Sequence, residues 1–128
     1  MLVVCLGVLW PASAWCNTLY ALSSSTPGSV YTIDTATGAA TKVVDLTGNT
    51  DTSFVDVTFL GGTLYASDVF ATGAFQFGTI DLTTGAFSII NNQGGSANWH
   101  SLAAVPSDGL IYAVDNDNAR LVTVTPGA

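Results

Sequence analysis

The amino-acid sequence predicts an all-β protein assembled from repeated antiparallel units, and three observations carry that prediction. First, the 128 residues are 48% hydrophobic and only 9% charged, with nine acids that are all Asp and two basic residues, Lys42 and Arg120. With no Glu and a single Lys there is little material for a solvated helix, while Thr, Val, Tyr and Phe suit a pleated sheet. Second, no segment of useful length shows the 3.6-residue apolar period of a helix. Third, the chain repeats itself. Tyr31-Thr32-Ile33-Asp34-Thr35-Ala36-Thr37-Gly38-Ala39-Ala40 returns as Gly78-Thr79-Ile80-Asp81-Leu82-Thr83-Thr84-Gly85-Ala86-Phe87, and Thr18-Leu19-Tyr20-Ala21 returns as Thr63-Leu64-Tyr65-Ala66 and Leu110-Ile111-Tyr112-Ala113.

Taken in order, residues 17–22 form the first expected strand, with Leu19 and Ala21 on one face and Tyr20 and Leu22 on the other. Both faces are apolar, which implies a strand covered on both sides. A Ser-rich turn ending in Pro27-Gly28 leads to strands over 29–35 and 40–46, joined by a turn in which Asp34 accepts backbone N–H groups and Gly38 supplies a positive φ. A polar loop over 47–53 precedes a hairpin, 54–60 and 63–68, whose two-residue turn is Gly61-Gly62. A longer loop around Ala71-Thr72-Gly73 leads to strands 75–82 and 87–91, joined by Thr83-Thr84-Gly85. After a loop over 92–96, short strands are expected at 100–105, 110–115 and 120–125, with turns at Pro106–Gly109 and Asp115–Asn118. The strands starting near Asp56 and near Ser101 are expected to be innermost in their units.

The repeat decides the architecture. Tyr20, Tyr65 and Tyr112 lie 45 and 47 residues apart, and both Asp34 to Asp81 and Gly38 to Gly85 span 47. A period of roughly 40–50 residues with four short strands per unit is that of a β-propeller blade, a sheet that cannot cover both apolar faces alone and so stacks between neighbours. The pattern Leu-Tyr-Ala, Thr-Ile-Asp-x-x-Thr-Gly, Leu-Tyr-Ala resembles the secreted bacterial β-propeller repeats of the pyrroloquinoline-quinone-like and related superfamilies. The resemblance rests on Leu19-Tyr20-Ala21, Ile33-Asp34, Thr37-Gly38, Leu64-Tyr65-Ala66, Ile80-Asp81, Thr84-Gly85 and Tyr112-Ala113, and covers nearly everything after Cys16. It implies blades that often follow a signal peptide. The Trp–Asp signature of the best-known propeller repeat is absent, and Thr123-Val124-Thr125 stands where Thr-Ile-Asp stood in the earlier units. Residues 15–128 amount to about two and a half blades against the four or more of a closed propeller. The expectation is a partial propeller domain, a fragment of a longer propeller or a chain that self-associates to complete a ring.

Residues 1–14 form an apolar run ending in Pro11-Ala12-Ser13-Ala14 and read as a secretory signal peptide cleaved after Ala14, too short to span a bilayer. No Lys or Arg precedes Leu2, and the alternative is a buried first strand, Leu2-Val3-Val4-Cys5-Leu6. Removal of the signal takes Cys5 and leaves Cys16 unpaired; without removal a Cys5–Cys16 bridge is conceivable, though spacing cannot establish it. Trp15 immediately before Cys16 speaks against a lipoprotein. A formal net charge of −7 excludes the basic stripe that nucleic acid requires and disfavours anionic membrane surfaces. The expected address is secreted or periplasmic.

Candidate chemistry is sparse. His100 is the single histidine, flanked by Trp99 and Ser101, but neighbours on a strand point to opposite faces, so Ser101 is poorly placed to pair with it, and no G-x-S-x-G elbow accompanies them. Asp115-Asn116-Asp117-Asn118 begins like a calcium loop, yet Ala119 follows and no Glu supplies a bidentate ligand. Asp34 and Asp81 recur with the repeat and read as turn caps. Quinone chemistry would require basic and aromatic residues converging on a funnel, where only Trp99 is placed. No catalytic, cofactor-binding or metal residue is therefore assigned. The favoured expectation is a non-enzymatic surface presenting loops to a protein or glycan; the alternative is a partial hydrolase or lyase completed by further blades.

Overall fold

The computed structural model describes residues 18–23, 27–47, 54–68, 75–93 and 98–126. Residues 1–14, expected to be a signal peptide, and both cysteines lie outside these residues, as do most of the long loops. Within them the fold is all-β, and ten strands follow one another: β1 (Leu19–Leu22), β2 (Ser29–Ile33), β3 (Ala40–Asp45), β4 (Phe54–Leu60), β5 (Thr63–Asp68), β6 (Phe75–Ile80), β7 (Phe87–Gln93), β8 (Trp99–Val105), β9 (Leu110–Asp115) and β10 (Arg120–Val124). They form three antiparallel sheets with sequential order: β1-β2-β3, β4-β5-β6-β7 and β8-β9-β10. Within each sheet, strands that follow one another along the chain pair antiparallel.

The three sheets are copies in register. Leu19 pairs with Ile33, Leu64 with Ile80 and Ile111 with Val124, so β1, β5 and β9 occupy one position and β2, β6 and β10 the next. The inner position is filled by β4 in the second sheet and β8 in the third, and these two edge strands pack against each other. These are the two strands expected to start near Asp56 and Ser101, here starting at Phe54 and Trp99.

Strand ends depart from expectation where side chains compete for the backbone. β6 stops at Ile80 because Asp81 takes the next amides into its turn. At the far end of the same pair, β7 runs on through Asn92 and Gln93, expected to be loop, because β6 supplies pairing partners as far as Phe75. Trp99 joins β8 through its pairing with Asp115. Both inner strands carry a bulge near their start, between Phe54 and Asp56 and between Trp99 and Ser101, leaving Val55 and His100 as the unpaired residues.

Two cores lie between the sheets. Val30, Leu46, Leu64, Ala66 and Ile80 are buried between the first and second, with Tyr20, Leu22 and Phe54 packed around them. Tyr65, Phe75, Phe77, Trp99, Leu102, Ile111 and Ala113 fill the space between the second and third. Phe77 is wholly enclosed, stacked on Tyr65 at 5.8 Å and edge-on to Trp99 at 5.6 Å. Its burial alone stabilises by about 2–3 kcal/mol. The middle sheet is covered on both faces, by the first sheet on one side and the third on the other.

Candidate functional site

The functional side chains gather at two opposite ends of the stacked sheets, and the chain's direction decides which. The tight turns Asp34–Gly38, Gly61-Gly62, Asp81–Gly85 and Pro106–Gly109 share one end. At the opposite end stand the starts of β4 and β8, the ends of β5 and β9, and the turn over 116–119. The longer connections also leave from there.

At the tight-turn end, two Asp side chains act identically. Asp34 Oδ1 accepts the N–H of Ala36 at 2.8 Å and of Thr37 at 3.0 Å, while Asp81 Oδ1 accepts those of Thr83 at 2.7 Å and Thr84 at 2.9 Å. The following glycines close the loop, Gly38 N–H on the Asp34 carbonyl and Gly85 N–H on that of Asp81. The amide of Thr37 and then that of Ala36 hold the Asp34 carboxyl below its ordinary value of 3.8, as Thr84 and then Thr83 do for Asp81. These carboxylates are committed to the backbone, as expected of turn caps.

The opposite end brings together most of the residues singled out for chemistry. His100 is exposed at its bulge, beside exposed Ser101. Trp99 turns inward and is buried against Phe75 and Phe77, 4.8 and 5.6 Å between ring centroids. It is a core side chain holding the second sheet to the third. Asp115 is fully buried at the end of β9, where its Oδ2 accepts from Asn118 Nδ2 and from Arg120 Nε, each at 2.9 Å. The Asn118 side chain, with Arg120 behind it, lowers the Asp115 carboxyl against the opposing effect of burial. Asp117 Oδ1 accepts from Asn98 Nδ2 at 3.1 Å. The four residues suspected of starting a calcium loop thus form a turn whose two acids hold protein donors, and among the described residues no group of three His, Cys, Asp or Glu side chains is arranged to hold a metal.

Asp56, which in the sequence marks only the start of a strand, reaches into the third sheet. Its Oδ2 accepts the N–H of Leu102 at 2.7 Å, and two residues on Thr58 Oγ1 accepts that of Ala104 at 2.9 Å. Side chains of β4 therefore satisfy the exposed backbone edge of β8, which the neighbouring strand cannot reach by its own carbonyls. The signal available in the sequence is the spacing: two polar residues at i and i+2 within Phe-Val-Asp-Val-Thr-Phe-Leu share one face of an otherwise apolar strand.

A groove of about 360 Å³ runs between β1 and β4, lined by Leu19–Leu22 and Phe54–Val57. In the second and third sheets the place beside β5 and β9 is taken by β4 and β8. No described helix is long and apolar enough to cross a membrane. No family model, curated protein or solved structure matches the chain.

Proposed function

We propose that this chain is a secreted β-propeller repeat protein that binds a protein or glycan partner without transforming it, through the end that carries His100 and the 116–119 turn. The reading is supported above all by how the acids at that end are used. Asp115 is tied to Asn118 and Arg120, Asp117 to Asn98, and Asp56 to the β8 backbone, so each serves geometry. What is left facing solvent is a set of hydrogen-bonding groups on rigid strands and a short turn: His100, Ser101, Asn116 and Arg120, all exposed. Donors and acceptors held in place by a scaffold suit recognition, because little side-chain entropy is lost on binding.

The apolar run over residues 1–14 favours export, and the repeated sheets favour a propeller scaffold. The deciding experiment screens the exported protein on a glycan array and by affinity capture, beside the His100→Ala/Asn116→Ala double variant. Binding by the wild type that falls at least tenfold in the variant, with an unchanged melting temperature, is the expected result. Turnover of an ester, peptide or glycoside panel that vanishes in His100→Ala would instead assign a hydrolase or lyase.

A further inference from the structure

The three sheets place equivalent residues in different surroundings, and the differences mark two unfilled surfaces. Leu64 and Ala66 of β5, with Ile111 and Ala113 of β9, are at most 1% exposed because a preceding sheet lies over them. Their counterparts on β1 are Leu19 and Ala21, and Leu19 is 53% exposed. On the other side, Phe77 of β6 is fully enclosed by the third sheet, while its counterpart on β10, Leu121, is 67% exposed. Val114 beside it is 42% exposed. Each open patch is thus half of an interface that the chain forms twice within itself.

We propose that the open face of the third sheet, centred on Tyr112, Val114 and Leu121, stacks on the open face of the first sheet, centred on Leu19 and Ala21, of a second copy of this chain. The second copy is the fitting occupant because it carries the complementary half in the same repeat register. Leu19 and Ala21 correspond to the residues that receive a preceding sheet, and Tyr112 and Leu121 to Tyr65 and Phe77, which cover a following one. Charge does not oppose the contact locally: the chain is acidic throughout, yet none of these five residues is ionisable at neutral pH. The contact is heterologous, head to tail, so it grows into a ring or a filament and does not stop at a two-fold dimer.

The contact makes a complementation prediction. Light scattering after size exclusion should show the wild-type mass rising with concentration. Leu19→Asp and Leu121→Asp should each be monomeric, with sheet-type circular dichroism retained since both positions are solvent-facing. Mixed in equal amounts, they should form a one-to-one complex of twice the monomer mass, because each retains the face the other has lost. Should either variant fail to fold, Ala21→Arg and Val114→Arg replace it in the same scheme. A wild type that stays monomeric at every concentration overturns the proposal, as does a Leu19→Asp protein that still doubles in mass, which would mean pairing of like faces.

Discussion

The turn between β2 and β3 and the turn between β6 and β7 have almost the same sequence and the same hydrogen bonds, yet they stand in different surroundings. Both use an Asp carboxylate on two amides, and both end in a glycine at nearly equal positive φ, 74° at Gly38 and 73° at Gly85. Around Gly38 there is open space. Gly85 instead lies where a side chain would run into the carbonyl of Asp45. The adjacent Thr47 donates its amide to the Gly85 carbonyl at 2.9 Å and its hydroxyl to the Thr84 carbonyl at 3.3 Å. One turn merely reverses the chain; the other also docks the first sheet onto the second. Local sequence builds the turn, and position in the stack decides what else depends on it.

Substituting the glycines separates these roles most sharply. Gly85→Ala combines a left-handed backbone, at about 1–2 kcal/mol, with overpacking against Asp45, at about 1–3 kcal/mol, and should lower the melting temperature by roughly 10 °C or more. Gly38→Ala carries only the backbone component and should cost about 1–2 kcal/mol. Thermal melts of the two variants side by side test the difference; equal losses would mean that Gly85 is not a docking point.

Acid titration should treat the two turns as equals. Asp34 and Asp81 have folded-state values below 3.8, so the stability they contribute is fully present above about pH 4 and is lost as pH falls through the lowered values. Melting temperature should therefore decline below about pH 4, and Asp34→Asn and Asp81→Asn should each flatten the decline by a similar amount. Unequal flattening would show that docking alters the second carboxylate as well as its glycine. The smallest expected effect has the opposite sign. Ala119 adopts φ of 48° without being glycine, and Ala119→Gly should stabilise by up to about 1 kcal/mol. Chemical denaturation midpoints would resolve it.

Much of the fold is legible in the chain because its signals are local. Alternating apolar residues, Gly61-Gly62 and the Asp–Thr–Gly turns depend on neighbours within a few positions, and each of the ten described strands overlaps the segment those signals mark, with several ends shifted. The repeat of Leu-Tyr-Ala likewise exposes the equivalence of the sheets before any contact is known. The candidate site is less legible. His100 and Ser101 were visible as residues, but the bulge that sets their directions arises from how β8 pairs with β9. Trp99 looked like a funnel residue, and only packing against Phe75 and Phe77 assigns it to the core.

Sequence by itself determined the strands, their turns and their repetition, since strand period and turn chemistry act over short distances along one chain. Tertiary structure alone decided that Asp56 and Thr58 hold β8, 46 residues away for each bond. It also decided that Gly85 meets Asp45, and that Leu19 and Leu121 remain uncovered where Leu64 and Phe77 are enclosed. Equivalent residues in a repeat carry equivalent local instructions; whether a neighbour arrives to cover them depends on the sheet stacked against them, which no local pattern encodes.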